Sequence, residues 1–438
     1  EIYTSDVSSA ASDVYKRQGR GWVRGINSIA DSPQLFFVIA EQAEGGITFR
    51  EAVGFNEWDD LSYNFSFDLF RQGADEPDRL VTQPVDVEPD IEYSLVLTGS
   101  IEEPSLLMWE EPERLWDATE TVFEVDFIHV SPLIGQLDIY LAPEGTAPVV
   151  GNEVGTLSNG ERLAYQEFEE GEYVLTLTAP GDPSTVILES APLGLSPAER
   201  ITIGLFDPDP TITSAVGVSV INREGLSIPV ADVDALPRSR MLHAAFGTGA
   251  FDGYINNDLT APAFPDLEFN ELSPYIDMAE LETPLTITAA GDPDTVLLED
   301  TILSLTDTSQ TVVFYGATDD WATRILLDNS RPISTEPQIR ISNFSANIDV
   351  VDVYDIPTGT APEDAVLPRF FNLQSGSSTN FSFAFLEPRD LVVTLPAETE
   401  PISAPLTIDI PGGQIVEIMI VDTVDPAVVE LLIFENRP

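Results

Sequence analysis

The chain has 438 residues, 75 acidic and 19 basic, for a formal net charge of −56, with no cysteine and only two histidines. That balance repels phosphate backbones and anionic membrane surfaces and excludes nucleic acid as a partner. The absence of cysteine excludes a disulfide framework and a thiolate zinc site. At 43% hydrophobic and 9% aromatic the chain still carries enough apolar material for packed cores. Lys16 is the single lysine, so every other basic residue is arginine. Concentrated salt screens carboxylate repulsion within about 3 Å at 1 M, and an acidic chain almost free of lysine points to a salt-adapted setting, a halophilic or marine bacterium.

Residues 1–18, EIYTSDVSSAASDVYKRQ, have no initiator Met and no apolar core of signal-peptide length. They read as a non-native leader and are set aside from the fold. No later stretch of 18 uncharged apolar residues occurs, so no membrane span is expected. From residue 19 the chain repeats itself. LDIYLAPEGTAP (137–148) and VDVYDIPTGTAP (351–362) share seven of twelve positions, and FDGYINNDLTAP (251–262) keeps the Asp, the Tyr and the closing Thr-Ala-Pro. QLFFVIAEQ, from Gln34, is a degenerate fourth version. A second block recurs as LTLTAPGDPSTVILES (175–190) and LTITAAGDPDTVLLED (285–300). A third is an apolar strand, IEYSLVLTG, RITIGLF, TVVFYGA and QIVEIMIVD. The runs are short, alternate with period two, favour Val, Ile, Thr, Phe and Tyr, and are separated by turn clusters. The repeat spacing of about 100 residues is that of one immunoglobulin-like sandwich. The expectation is an all-β chain of four tandem Ig-like antiparallel β-sandwich domains, 19–118 (divergent), 119–234, 235–336 and 337–438, strung as a rod with short Pro-bearing linkers.

The opening of the second repeat, FIHVSPLIGQLDIYLAPEGT, resembles the bacterial module called domain of unknown function 4397, which begins with an apolar strand, His-Ala-Ser-Pro, a short acidic loop and Val-Asp-Val-Tyr. The matching residues are His129, Ser131, Pro132, Asp138 and Tyr140; in the third repeat His243, Asp252 and Tyr254; in the fourth Asp352 and Tyr354. The first repeat lacks both the Asp and the Tyr. The resemblance implies a secreted or surface Ig-like sandwich with no established activity, and it supplies no catalytic residue.

The residues themselves lead the same way. His129 and His243 each stand eleven positions before the motif Tyr; the equivalent position is Asn343 in the fourth repeat and Asn27 in the first. An amide takes no proton at neutral pH, so a position that alternates His and Asn is no general base. Both side chains do offer a hydrogen-bonding nitrogen, so the expected role is structural, satisfying backbone where the first strand bends. Ser131 shares a strand face with His129, but no Gly-x-Ser-x-Gly elbow or repeated acid completes a triad, and the Ser-Pro reads as a turn starter. Carboxylate clusters such as Glu57, Asp59 and Asp60 or Glu110, Glu111 and Glu113 leave a structural Ca²⁺ as an alternative; no other cofactor is expected. The tryptophans read as core or junction residues, with MWEEPERLW (108–116) as a clamp between the first two repeats. Together these features point to a non-enzymatic extracellular or cell-envelope scaffold for spacing, display or adhesion. The alternative is a carbohydrate- or Ca²⁺-dependent ligand-binding module, with a surface polymer, glycan or protein as partner.

Overall fold

The structure, a computed structural model, describes residues 19–71, 76–117, 119–318, 320–365 and 367–435. The leader 1–18 and the boundary residue Ala118 lie outside the described residues. The chain is all-β; the one helical element among the described residues is a short 3-10 turn at Pro362–Asp364. Eight sheets of four or five strands form. They close two by two over four apolar cores, centred on Phe37, Phe65 and Leu95; Phe127, Ile139 and Leu177; Phe251, Ile287 and Phe314; and Ile341, Val353 and Ile418.

In each sandwich one sheet, called inner below, is built on the opening strand: Arg20–Asn27, Val122–His129, Arg238–His243 and Gln338–Asn343. Its neighbour is the apolar third-block strand: Ile91–Gly99, Arg200–Phe206, Ser309–Ala317 and Ile415–Asp422. The outer sheet carries the Asp-x-Tyr strand, as in Leu137–Pro143 and Val350–Pro357. The two central inner strands run parallel, in one register throughout: Asn27 opposite Leu97, His129 opposite Leu205, His243 opposite Phe314, Asn343 opposite Ile420. This amends the wholly antiparallel sandwich expected from sequence. A parallel pair needs a long crossover, and here the whole outer sheet is that crossover.

The chain divides into two compact units, one running to Pro208 and including Ala215–Asp232, the other taking Asp209–Ser214 and the chain from Val233 onward. Each unit holds two sandwiches joined through their inner sheets, which makes the compact body a pair and not a single sandwich. Alternation along the inner strands shows how. In Arg200–Phe206, Ile201, Ile203 and Leu205 enter their own core, while Phe206 joins Ile26, Val96 and Ile128 in a second apolar cluster shared by both sandwiches of the first unit. Trp109 packs against that cluster, the placement expected of the MWEEPERLW segment. The second unit repeats the scheme with Leu242, Val313, Phe344, Met419 and Val421. Inner strands are therefore buried on both faces, as parallel strands usually are.

Candidate functional site

The position read as His or Asn lies at the end of each opening strand, and all four side chains are fully buried: Asn27, His129, His243 and Asn343. Each grips the loop that follows. His129 Nδ1 accepts the N–H of Ser131 at 3.3 Å and its Nε2 lies 3.0 Å from the Gly135 carbonyl. His243 makes the same pair of bonds, to the Ala245 N–H at 3.2 Å and the Gly249 carbonyl at 3.1 Å. Asn343 Oδ1 accepts from the Ser345 N–H at 3.1 Å while Nδ2 donates to the Leu373 carbonyl at 3.1 Å. Asn27 Oδ1 accepts from the Ile29 N–H at 3.0 Å and Nδ2 donates to Ser32 Oγ at 2.9 Å. The partners assign Nδ1 of each His as acceptor and Nε2–H as donor, which is the neutral ring, and burial pushes both imidazoles below their ordinary range.

The backbone carbonyl of the same residue is also used four times, by the N–H of Arg50, Gly160, Asn270 and Gly376 at 2.7 to 2.9 Å. All four donors sit at positive φ, between 67° and 84°. Sequence reasoning missed this turn; its signal was a Gly or Asn about thirty residues after the His/Asn position, obscured where the residue is Arg50. Only glycine adopts that conformation freely, with asparagine next.

Ser131, His129 and Asp207 lie together, but not as a nucleophile with its base. Ser131 Oγ donates to Asp207 Oδ1 at 2.5 Å and accepts from the Ile134 N–H at 3.1 Å, so it closes the Ser-Pro turn, with Pro132 exposed on its outside. His129 faces the backbone N–H of Ser131, and its hydroxyl is already committed. In the fourth sandwich Ser345 and Asp422 keep the arrangement, Asp422 accepting from Ser345 Oγ and from the Ala346 N–H at 2.8 Å, beside Asn343.

The motif Asp ties two loops at one end of the outer sheet. Asp138 accepts from Thr156 Oγ1 at 2.5 Å and the Gly181 N–H at 2.6 Å; Asp252 from the Asp266 and Gly291 N–H groups at 2.7 and 2.8 Å; Asp352 from the Asn372 and Ala397 N–H groups at 2.7 and 3.0 Å. In the first sandwich Phe36 takes this place and packs edge-on against Phe70. Tyr140, Tyr254 and Tyr354 stand two residues further, on the outward face of the outer sheet, yet are only 3%, 4% and 6% exposed. Tyr354 packs with Ile356, Val392 and Ala365, the last in the loop that follows Thr-Ala-Pro.

A second polar constellation lies between the inner sheets of the first unit. Arg200 binds Glu92 at 2.8 Å and Glu124 at 2.6 Å and stacks on Tyr165; Arg223 reaches the other oxygen of Glu92; Arg162 binds Asp126 at 2.7 Å. Arg24 donates to Thr202 at 2.6 Å, and Thr202 to Asp126 at 2.5 Å. In the second unit Arg340 binds Glu417 at 2.5 Å, and Asp328 lies 3.4 to 3.5 Å from Arg340 and Arg240 while accepting from Tyr275 at 2.6 Å. The scarce arginines are thus concentrated where two sandwiches meet. Among the described residues no group of three or more His, Asp or Glu side chains is placed to hold a metal ion. Several members of the acidic clusters are instead paired with arginine: Glu57 and Asp59 with Arg20, Glu111 with Arg162, Glu113 with Arg223.

Fold and site together define a repetitive all-β protein whose recurring polar residues bind its own backbone. The family model for Domain of unknown function (DUF4397) matches residues 21–140 and 238–354, just over half of the chain. The chain belongs to that family. Each match begins at the opening strand of a unit's first sandwich and ends on the motif Tyr of its second, so the homology recurs once per compact unit. A search of curated proteins finds no match. No helix among the described residues is long and apolar enough to cross a membrane.

The His/Asn grip predicts unequal effects at one position. His129→Asn should cost less than His129→Leu, because Asn343 keeps the bond from the N–H two residues on and gives its side-chain N–H a carbonyl partner, that of Leu373. His129→Leu should cost about 1–3 kcal/mol through the orphaned Ser131 N–H and Gly135 carbonyl. Since the folded imidazole sits below its unfolded value, its contribution is fully present above about pH 6.5 and is lost progressively as pH falls from there through the lower folded value. The Asn variant should therefore gain on the parent below that pH. Melting curves at pH 8 and pH 5 check both statements, and equal melting of the Leu and Asn variants would refute the structural role.

Proposed function

We propose that the chain is a non-enzymatic scaffold of an extracellular or cell-envelope system, built to space, display or adhere in a salt-rich setting. The observation that carries this reading is the use of the family's signature residues. His129, Ser131, Asp138 and their equivalents are buried and spend their polar atoms on the loops and turns of their own sandwich. A signature of that kind specifies a fold; catalysis needs polar groups aimed at a substrate.

The competing reading, a carbohydrate-binding module, calls for exposed aromatic platforms. All five tryptophans are instead half-buried. Trp58 and Trp321 pack against cores, Trp109 against the junction cluster, and Trp22 and Trp116 lie under Arg223 and Arg114. A glycan array and a calcium titration on the chain test the proposal; a saturable signal in either would replace the scaffold by a binder.

The setting is testable separately. With the arginines mostly engaged in pairs, the solvent-facing charge is overwhelmingly carboxylate. Raising NaCl from about 0.1 M to about 2 M should raise the melting temperature, because screening relieves surface repulsion while buried pairs feel it far less. A melting temperature that falls with salt would remove the salt-adapted part of the proposal.

A further inference from the structure

We propose that the Ser131-Pro132 turn of the second sandwich is a proton-operated latch, closed while the His129 ring is neutral and opened when the ring is protonated. The inference is independent of the scaffold reading and rests on comparing the same strand end in four sandwiches. The turn is held through Ser131. Its N–H is bound by His129 Nδ1 at 3.3 Å and its hydroxyl by Asp207 Oδ1 at 2.5 Å. Asp207 Oδ1 also takes the Leu133 N–H at 3.2 Å, and Ser131 Oγ takes that of Ile134 at 3.1 Å. The other ring nitrogen, Nε2, holds the Gly135 carbonyl at 3.0 Å. One ring nitrogen thus accepts and the other donates, which only the neutral imidazole can do. A proton from solvent binds the Nδ1 lone pair, and no other covalent bond changes. Nδ1–H then faces the Ser131 N–H, donor against donor, and that bond is lost. The buried ring also gains a positive charge and competes, through a charge-assisted bond, for the carboxylate that holds the Ser131 hydroxyl.

Two carboxylates act on the ring: Asp207, just after strand Arg200–Phe206, and Glu161, just before strand Arg162–Glu169. Glu161 also accepts the Ser158 N–H at 2.7 Å. On the far side of Gly217 from Asp207, the Arg50 guanidinium donates to the Val218 carbonyl. The loop 131–136, SPLIGQ, carries no charge of its own. Burial outweighs the Gly135 carbonyl and the two carboxylates and holds the ring below its ordinary range while the turn is closed. In an opened turn the ring returns to its ordinary value near pH 6.5. The closed turn is therefore fully favoured above about pH 6.5 and loses ground as pH falls from there.

Each other sandwich lacks one half of the device. The fourth has the same turn: Asp422 takes the Ser345 hydroxyl and the Asn347 N–H, and Ser345 Oγ takes the Ile348 N–H at 2.9 Å. There, however, the Ser345 N–H is held by Asn343, which takes no proton. The third has His243, but Ala245 stands in the place of Ser131 and Gly316 in that of Asp207. Its ring lies among Phe251, Phe269 and Phe314, with no hydroxyl–carboxylate turn to release. The first has Asn27, with Ile29 and Gly99 in the two places. Only the second sandwich joins a titratable ring to a turn that the ring can let go.

Hydrogen exchange on the full chain, read by mass spectrometry at about pH 7.5 and about pH 5, tests this, with residues 344–350 of the fourth sandwich as internal control. The direct effect of pH on chemical exchange scales both segments by the same factor, so their ratio reports the latch. Relative to 344–350, exchange of residues 130–136 should rise at least about tenfold at the lower pH. The core strand Gly171–Ala179 of the same sandwich should stay protected. His129→Asn keeps an acceptor for the Ser131 N–H and should abolish the rise. Equal responses of the two turns, or a rise that persists in His129→Asn, overturns the proposal. So does an equal rise in Gly171–Ala179, which would show the whole sandwich loosening and no latch within it.

Discussion

Arg200→Ala is expected to lower the unfolding free energy of the first unit by about 3–5 kcal/mol, the typical effect of removing one partner from a buried ion pair. The Arg200 side chain is 8% exposed and that of Glu92 1%. Three acceptors converge on the guanidinium, Glu92, Glu124 and the Pro112 carbonyl, and the Tyr165 ring lies 4.5 Å from it. Without it, two carboxylates from opposite sandwiches are left close together in a site that water reaches poorly. Arg223 still holds Glu92, but its own side chain is more exposed and burial lowers its affinity for the proton. The comparison is Arg20→Ala. Arg20 also binds two carboxylates, Glu57 and Asp59, but its side chain is 57% exposed, and its loss should cost no more than about 1 kcal/mol. Trp22, Trp58, Trp109 and Trp116 all belong to the first unit and only Trp321 to the second. Tryptophan fluorescence in urea therefore reports mainly on the unit that carries the change. Equal losses for the two arginine variants would show that the junction network contributes no more than a surface pair.

That prediction turns on something the sequence disguised. In RITIGLF the residues Ile201, Ile203 and Leu205 declare one core face, and Arg200 and Thr202 on the other look like ordinary solvent-facing residues. Gly204 and Phe206 share that second face, however, and an aromatic ending a polar stripe was the clue to a second buried layer. QIVEIMIVD carries the same clue: Glu417 alternates with apolar neighbours, but Met419 and Val421 continue its face. Period-two alternation tells which residues share a face. It does not tell water from a second protein layer when that layer supplies counter-charges. The His/Asn position was more legible, because its interchange at matched spacing restricts the chemistry to what both side chains do. The left-handed turn that uses its carbonyl was not, because Arg50 fills a place where glycine or asparagine would have announced the conformation. The single sandwich was legible from repeat spacing. The pair became visible only when the charged half of each inner face was found buried, and the family match, running from one sandwich into the next, has the same period.

Phe206→Ala discriminates between the two pictures of the unit and should cost about 3–5 kcal/mol. Phe206 is fully buried at the apolar end of the junction, edge-on to Phe49 at 6.1 Å and clustered with Ile26, Val96, Ile128, Val130 and Ile221. The chain makes room for it: a Cβ on Gly204 would fall 2.4 Å from its ring. Ile26 and Val96 come from the first sandwich, Ile128 and Phe206 from the second, so removing the ring opens a cavity that neither sandwich can close alone. Had the two been beads on a rod, Phe206 would lie on a solvent-facing sheet surface, and its truncation would fall within about 0.5 kcal/mol of neutral. Urea unfolding followed by tryptophan fluorescence separates these outcomes, since Trp109 packs on the same cluster and should also redden if water enters. Gly204→Ala is the complementary test. It leaves every apolar group in place but forces the ring aside, so a loss comparable to that of Phe206→Ala would locate the stabilisation in the fit of the two inner sheets, whereas a neutral result for both would leave the sandwiches of a unit energetically separate.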